Sequence, residues 1–154
     1  MPTGSAALVL MAMKEARAVA ESARINVGVV FAVDTLEFLH RGGRIGGANR
    51  FLGTALNIEP ILEVTGGRVE AIERVRTRSK SLSRVVEIIA ERSAGRTPLR
   101  LATLHANAPE DARQLLEEAS KVMNPIESIF TEVSPVVANH AGPGTVGLAF
   151  MAGQ

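Results

Sequence analysis

Arginine and histidine are the side chains of this 154-residue chain whose spacing best suits chemistry. Arg74, Arg76 and Arg78 recur at every second position, so on a strand their guanidiniums leave one face together. Three like charges side by side repel unless an anion or carboxylates lie among them, and the guanidinium fork suits carboxylate and phosphate. Salt bridges to Glu59, Glu63 or Glu70 explain the same pattern without a ligand. Arg44 sits in Gly42-Gly43-Arg44-Ile45-Gly46-Gly47, where free backbone could gather N–H groups round an anion. A tight turn carrying a surface arginine is the alternative. His140, in Asn139-His140-Ala141-Gly142-Pro143-Gly144, can donate to an anionic headgroup or change charge near neutrality. An ordinary exposed loop histidine is the plain alternative. His40, at a helix end, and His105, closing an apolar strand, are weaker candidates. These scattered histidines and the absence of cysteine give no ligand spacing, so neither a metal nor a cofactor is expected.

Other chemistries are excluded by context. Gly142-Pro143-Gly144-Thr145-Val146-Gly147 matches the dinucleotide pattern by letter, but that pattern needs a following helix and a later acidic residue, and a strand follows here. The Gly42–Gly47 stretch lacks the Lys-Ser/Thr of a phosphate-binding loop, and no Ser nucleophile elbow is present. With only Asp34 and Asp111 as aspartates, acid–base work would fall to Glu or His, and nothing requires an enzyme. A small hydrolase or transferase built on the arginines remains a rival. The net charge of +1 and 3% aromatic content argue against nucleic-acid binding. No apolar run approaches the ~18 residues of a membrane span. Ala6–Met13 lacks the basic flank of a secretory signal, so a cytoplasmic location is expected. Residues 34–84 carry nine basic and six acidic side chains, residues 85–154 five and eight, so an anion would be held in the first of these segments.

The elements that must position these residues follow from periodicity. An Ala/Met/Leu-rich helix is expected over Ser5–Arg24, with Leu8, Met11, Ala12, Ala16 and Val19 on a mostly apolar face. A β-branched strand follows at Val27–Val33, then a short helix Leu36–His40 capped by Asp34-Thr35. Another helix is expected over Ala48–Leu56. Ile58–Val64 and Arg68–Thr77 read as a hairpin across Thr65-Gly66-Gly67. Ser79 and Ser81 are placed to cap a helix Leu82–Ser93. A strand Leu99–His105, a helix from Pro109 to Met123, a strand Ile126–Val133, a Pro/Gly loop Ser134–Gly144 and a strand Thr145–Met151 complete the chain. The expected fold is α/β, a mixed sheet with flanking helices.

Val33-Asp34-Thr35-Leu36-Glu37-Phe38-Leu39-His40-Arg41-Gly42-Gly43-Arg44-Ile45-Gly46 resembles the signature of the DegV family. Three further blocks continue in order: Leu56-Asn57-Ile58-Glu59-Pro60-Ile61-Leu62, Val75-Arg76-Thr77-Arg78 and His140-Ala141-Gly142-Pro143-Gly144-Thr145. The resemblance implies a carrier that is not itself an enzyme. It would bind a long-chain fatty acid and present its carboxylate to a fatty-acid kinase for phospholipid synthesis. By motif, Arg44, His140 and either Arg76 or Arg78 would lie near the carboxylate; Leu36, Leu39, Ile45, Phe51 and Leu52 are acyl-pocket candidates, ordinary core being the alternative for most of them. A full family member has an N-terminal domain before the matched region. Residues 27–154 are thus expected to form the C-terminal domain of the DegV fold. Residues 1–26 would be a remnant of, or replacement for, the other domain. A bared domain interface favours a homodimer, and a module that docks or dimerises without lipid is the alternative.

Overall fold

The computed structural model describes residues 4–53 and 58–153. Helix α1 (Gly4–Asn26) runs directly into strand β1 (Val27–Ala32), where the Ala-rich sequence gives way to β-branched residues. Helix α2 (Glu37–Arg41) and a 3-10 helix (Gly46–Phe51) follow. Strands β2 (Glu59–Thr65) and β3 (Arg68–Val75) form an antiparallel hairpin. Gly66 and Gly67 turn it with φ of 57° and 75°, the left-handed pair that a two-residue turn requires. Then come α3 (Arg78–Ser93), β4 (Leu99–His105), α4 (Pro109–Met123), β5 (Glu127–Glu132), α5 (Pro135–Ala141) and β6 (Val146–Ala152).

The strands make one sheet in the order β3-β2-β1-β6-β4-β5. Only the β4–β5 pair, joined through α4, is parallel. One sheet face is sealed by α3 and α4. Val85 and Ile89 of α3 and Leu115 of α4 pack there on Val30, Ile61, Leu101 and Leu148, all at most 1% exposed. On the opposite face, Phe31, Val33 and Leu62 pack with Leu36, Leu39 and Ala48 under α2 and the 3-10 helix. Beyond that cover the second face is open, with Val27, Val64 and Ile129 each about half exposed (49%, 47% and 48%).

Several boundaries differ from the sequence expectation. Strand β3 stops at Val75, and Thr77 rather than Ser79 or Ser81 caps α3, its Oγ1 accepting from Lys80 N at 3.3 Å. Arg74, Arg76 and Arg78 therefore share no strand face: Arg74 is on β3, Arg76 in the bend and Arg78 at the first helical position. The helix expected at Ala48–Leu56 is a 3-10 helix ending at Phe51, and the expected residues 54–56 lie outside the described residues. The expected Ser134–Gly144 loop contains α5, started by the Ser134 hydroxyl accepting from Val137 N and by Pro135 at the first turn. The apolar face of α1 finds no cover among the described residues, since every side chain from Ala6 to Ser22 is exposed.

Candidate functional site

A groove of about 850 Å³ opens where the second sheet face emerges from under its helices. Val29 and Phe31 of β1, Val64 of β2 and Leu104 of β4 floor it, as strand alternation dictates. Leu39 of α2 and Val136 and Val137 of α5 wall it. Its polar groups are few: Arg44 from the loop after α2, His140 from the last turn of α5, Thr145, and Arg68 at the start of β3. An apolar trough with a small set of cationic and donor groups can take an amphiphile with an acidic end.

Arg44 and His140 thus come together at one groove from positions 96 apart in the chain. The loop bearing Arg44 is a tight turn rather than an anion nest. The N–H groups of Gly42, Gly43 and Arg44 donate to the carbonyls of Phe38, His40 and Leu39, closing α2, and the Arg44 guanidinium donates to Gly42 O at 2.9 Å. His140 is half-buried. Its Nδ1 is fully covered and has no hydrogen-bond partner. That nitrogen abuts Gly42, where a Cβ would come within 2.3 Å of it, so only glycine admits the ring. A buried N–H without an acceptor is rarer and costlier than a bare lone pair, so the proton belongs on Nε2, which is left to donate.

Arg76 and Arg78 are placed elsewhere. Arg76 is exposed on the bend before α3. Arg78 lies in a separate hollow of about 520 Å³ lined by Asp34, Glu59 and Asp111. Its Nε donates to Asp111 at 2.7 Å, its Nη1 lies 3.3 Å from Glu59 and 3.4 Å from Asp34, and its Nη2 donates to Gly144 O at 2.5 Å. One guanidinium shared among three carboxylates neutralises none completely. Burial pushes the Glu59 carboxyl above its usual range, against the opposing pull of Arg78. Of the acyl-pocket candidates, Leu39 lines the groove as well as joining the cluster beneath α2, whereas Leu36 is buried in that cluster and Ile45 and Phe51 pack against it, outside the groove. Leu52 is 37% exposed, outside both. His105 is buried, its Nδ1 accepting from Ala108 N at the start of α4. Among the described residues no group of three or more His, Cys, Asp or Glu is placed to hold a metal ion.

Sequence reasoning missed Arg68, Val136 and Val137. The only signal for the two valines was the Ser134-Pro135 helix start, which would have put them on a helix beside His140.

The fold and the groove define a mixed α/β domain whose open sheet face carries a ligand-sized apolar site. A family model described as "Uncharacterised protein, DegV family" matches residues 11–153, and the chain belongs to the DegV family. A DegV domain-containing protein of Streptomyces coelicolor is 41% identical over 135 residues, covering 87% of this chain and 48% of that protein. Protein DegV of Bacillus subtilis is 34% identical over 130 residues, covering 84% and 46%. The solved structure of a DegV family protein from Thermus thermophilus, described as fatty acid binding, superposes with a TM-score of 0.85 at 37% identity, covering 90% of this chain and 50% of that one. This chain spans about half the length of the curated relatives it matches.

Proposed function

We propose that the groove holds the acyl chain of a long-chain fatty acid, its carboxylate at the Arg44–His140 end, and presents it to a fatty-acid kinase for phospholipid synthesis. The observation that carries this reading is the convergence of Arg44 and His140 on a predominantly apolar groove. The fatty acid binding described for the Thermus thermophilus and Bacillus subtilis proteins supports it. Each methylene taken from water contributes about 0.8 kcal/mol. A carboxylate brought into such a groove needs fixed donors, which a guanidinium and an imidazole supply. On this reading the chain is a cytoplasmic carrier rather than an enzyme, and the exposed Arg76 belongs to the kinase-docking face.

Denaturing the purified protein, extracting with solvent and identifying co-purified acyl chains by mass spectrometry tests the reading. Near-stoichiometric fatty acid is expected. Arg44→Ala and His140→Ala are each expected to weaken binding of a fluorescent long-chain fatty acid about tenfold, the loss of one charge-assisted hydrogen bond. Arg76→Ala should leave that affinity intact and lower acyl-phosphate formation with a kinase. A second reading, an interaction module that dimerises without lipid, is favoured by the exposed apolar side chains of α1, and an empty, folded dimer would select it.

A further inference from the structure

The polar contacts of the Arg78 hollow lead, through Gly144 and Thr145, to the carbonyls that directly follow His140. Gly144 lines the hollow and its neighbour Thr145 lines the groove, so the two sites lie back to back across one peptide. The Arg78 guanidinium holds the Gly144 carbonyl, while the Gly144 N–H donates to Ala106 O at 2.8 Å. Thr145 is 2% exposed, and its single hydroxyl donor is shared between the carbonyls of Ala141 at 3.0 Å and Gly142 at 2.8 Å. Those carbonyls end α5, directly after His140. A working imidazole is usually oriented by a hydrogen bond on its second nitrogen. Here Nδ1 has none, so the ring takes its orientation from its backbone and from contact with Gly42.

We propose that Arg78 is a positioning residue for His140: by gripping Asp34, Glu59, Asp111 and the Gly144 carbonyl at once, it fixes the loop through which Thr145 anchors the end of α5. Arg78 then acts on the ligand's acidic end through His140 and does not touch it. This rests on the reading that His140 meets that end. Lysine keeps the charge, but its donors leave one compact nitrogen and cannot reproduce the spread of the planar guanidinium, whose Nε, Nη1 and Nη2 each reach a different partner.

The test uses the full chain with Arg78→Lys and Thr145→Val, each checked for folding by circular dichroism. Long-range proton–nitrogen spectra of the imidazoles are assigned with His140→Gln. In the parent protein His140 is expected to show one tautomer. In both variants its nitrogen signals should shift toward a tautomer average while those of the exposed His40 stay in place. Affinity for a fluorescent long-chain fatty acid should fall about five- to tenfold, the effect of misplacing one donor. A merely structural role for Arg78 would lower the melting temperature and leave the His140 signals unchanged in the folded variants, and that result overturns the proposal. Should Arg78→Lys not fold, the Thr145→Val spectrum decides alone. If the parent protein binds no fatty acid yet the His140 signals move, the positioning role stands and the ligand reading falls.

Discussion

Three glycines let two distant signature blocks interlock. Gly42 takes the His140 ring, Gly142 takes the ring of Phe38, and Gly144 takes the Asp34 carboxylate; a Cβ at these positions would lie 2.3, 2.4 and 2.0 Å from the nearest atom of its partner. The stretches 34–42 and 140–144 therefore mesh at three points, a contact that no spacing within either stretch reveals. Gly144 also has φ of 82°, which side-chain-bearing residues rarely adopt. Gly144→Ala should cost about 1–3 kcal/mol from backbone strain alone, read as a lower urea midpoint with unchanged slope. An alanine variant as stable as the parent would mean that the loop and Asp34 separate freely. At this scale the arginine pattern misled: the period of two in Arg74, Arg76 and Arg78 is real, but the strand it presumes ends at Val75.

Among the elements, α3 decides most, because beginning at Arg78 it turns that side chain toward the first turn of α4 and the start of β2. Glu59 carries the cost. Its folded carboxyl is raised above the value of 4.5 expected for a free glutamate, chiefly by burial. The folded state then holds a proton that the unfolded chain has released. The stability that this group contributes is full below its unfolded pKa and is lost as pH rises through the folded one. Glu59→Gln is always neutral, so its stability relative to the parent should grow from about pH 4.5 upward. Urea midpoints at several pH values check this. A Gln variant increasingly weaker than the parent toward pH 7 would show instead that pairing with Arg78 outweighs burial. The short helix α5 lies in a stretch that reads as a loop, its only local sign being the Ser134 cap and Pro135, since Gly and Pro at 142–144 obscure it.

For the whole molecule, the unequal faces of the sheet matter. One is sealed by α3 and α4; the other is half covered by short elements and otherwise bare. Helix α1 adds Leu8, Met11 and Val19, each at least 61% exposed. Apolar surface left bare on this scale favours association, so sedimentation velocity should show concentration-dependent self-association. Leu8→Glu with Val19→Glu should shift the population toward monomer without changing the urea midpoint. Association unaltered by both charges would place the contact on the open sheet face instead.

The six strands, helices α1 to α4, the Gly66-Gly67 hairpin and the family signature were determined by the sequence alone, because periodicity and turn chemistry are local properties of a chain. Its lack of a thiol, and of paired histidine spacing, was equally plain there. That Arg44 and His140 line one groove, that Leu36 is buried with Ile45 and Phe51 packed against its cluster, and that three carboxylates capture Arg78 were decided only in three dimensions. Each depends on which face of a shared sheet a residue leaves by and what already fills the space there. A one-residue change in where a strand stops or a helix starts reverses that outcome.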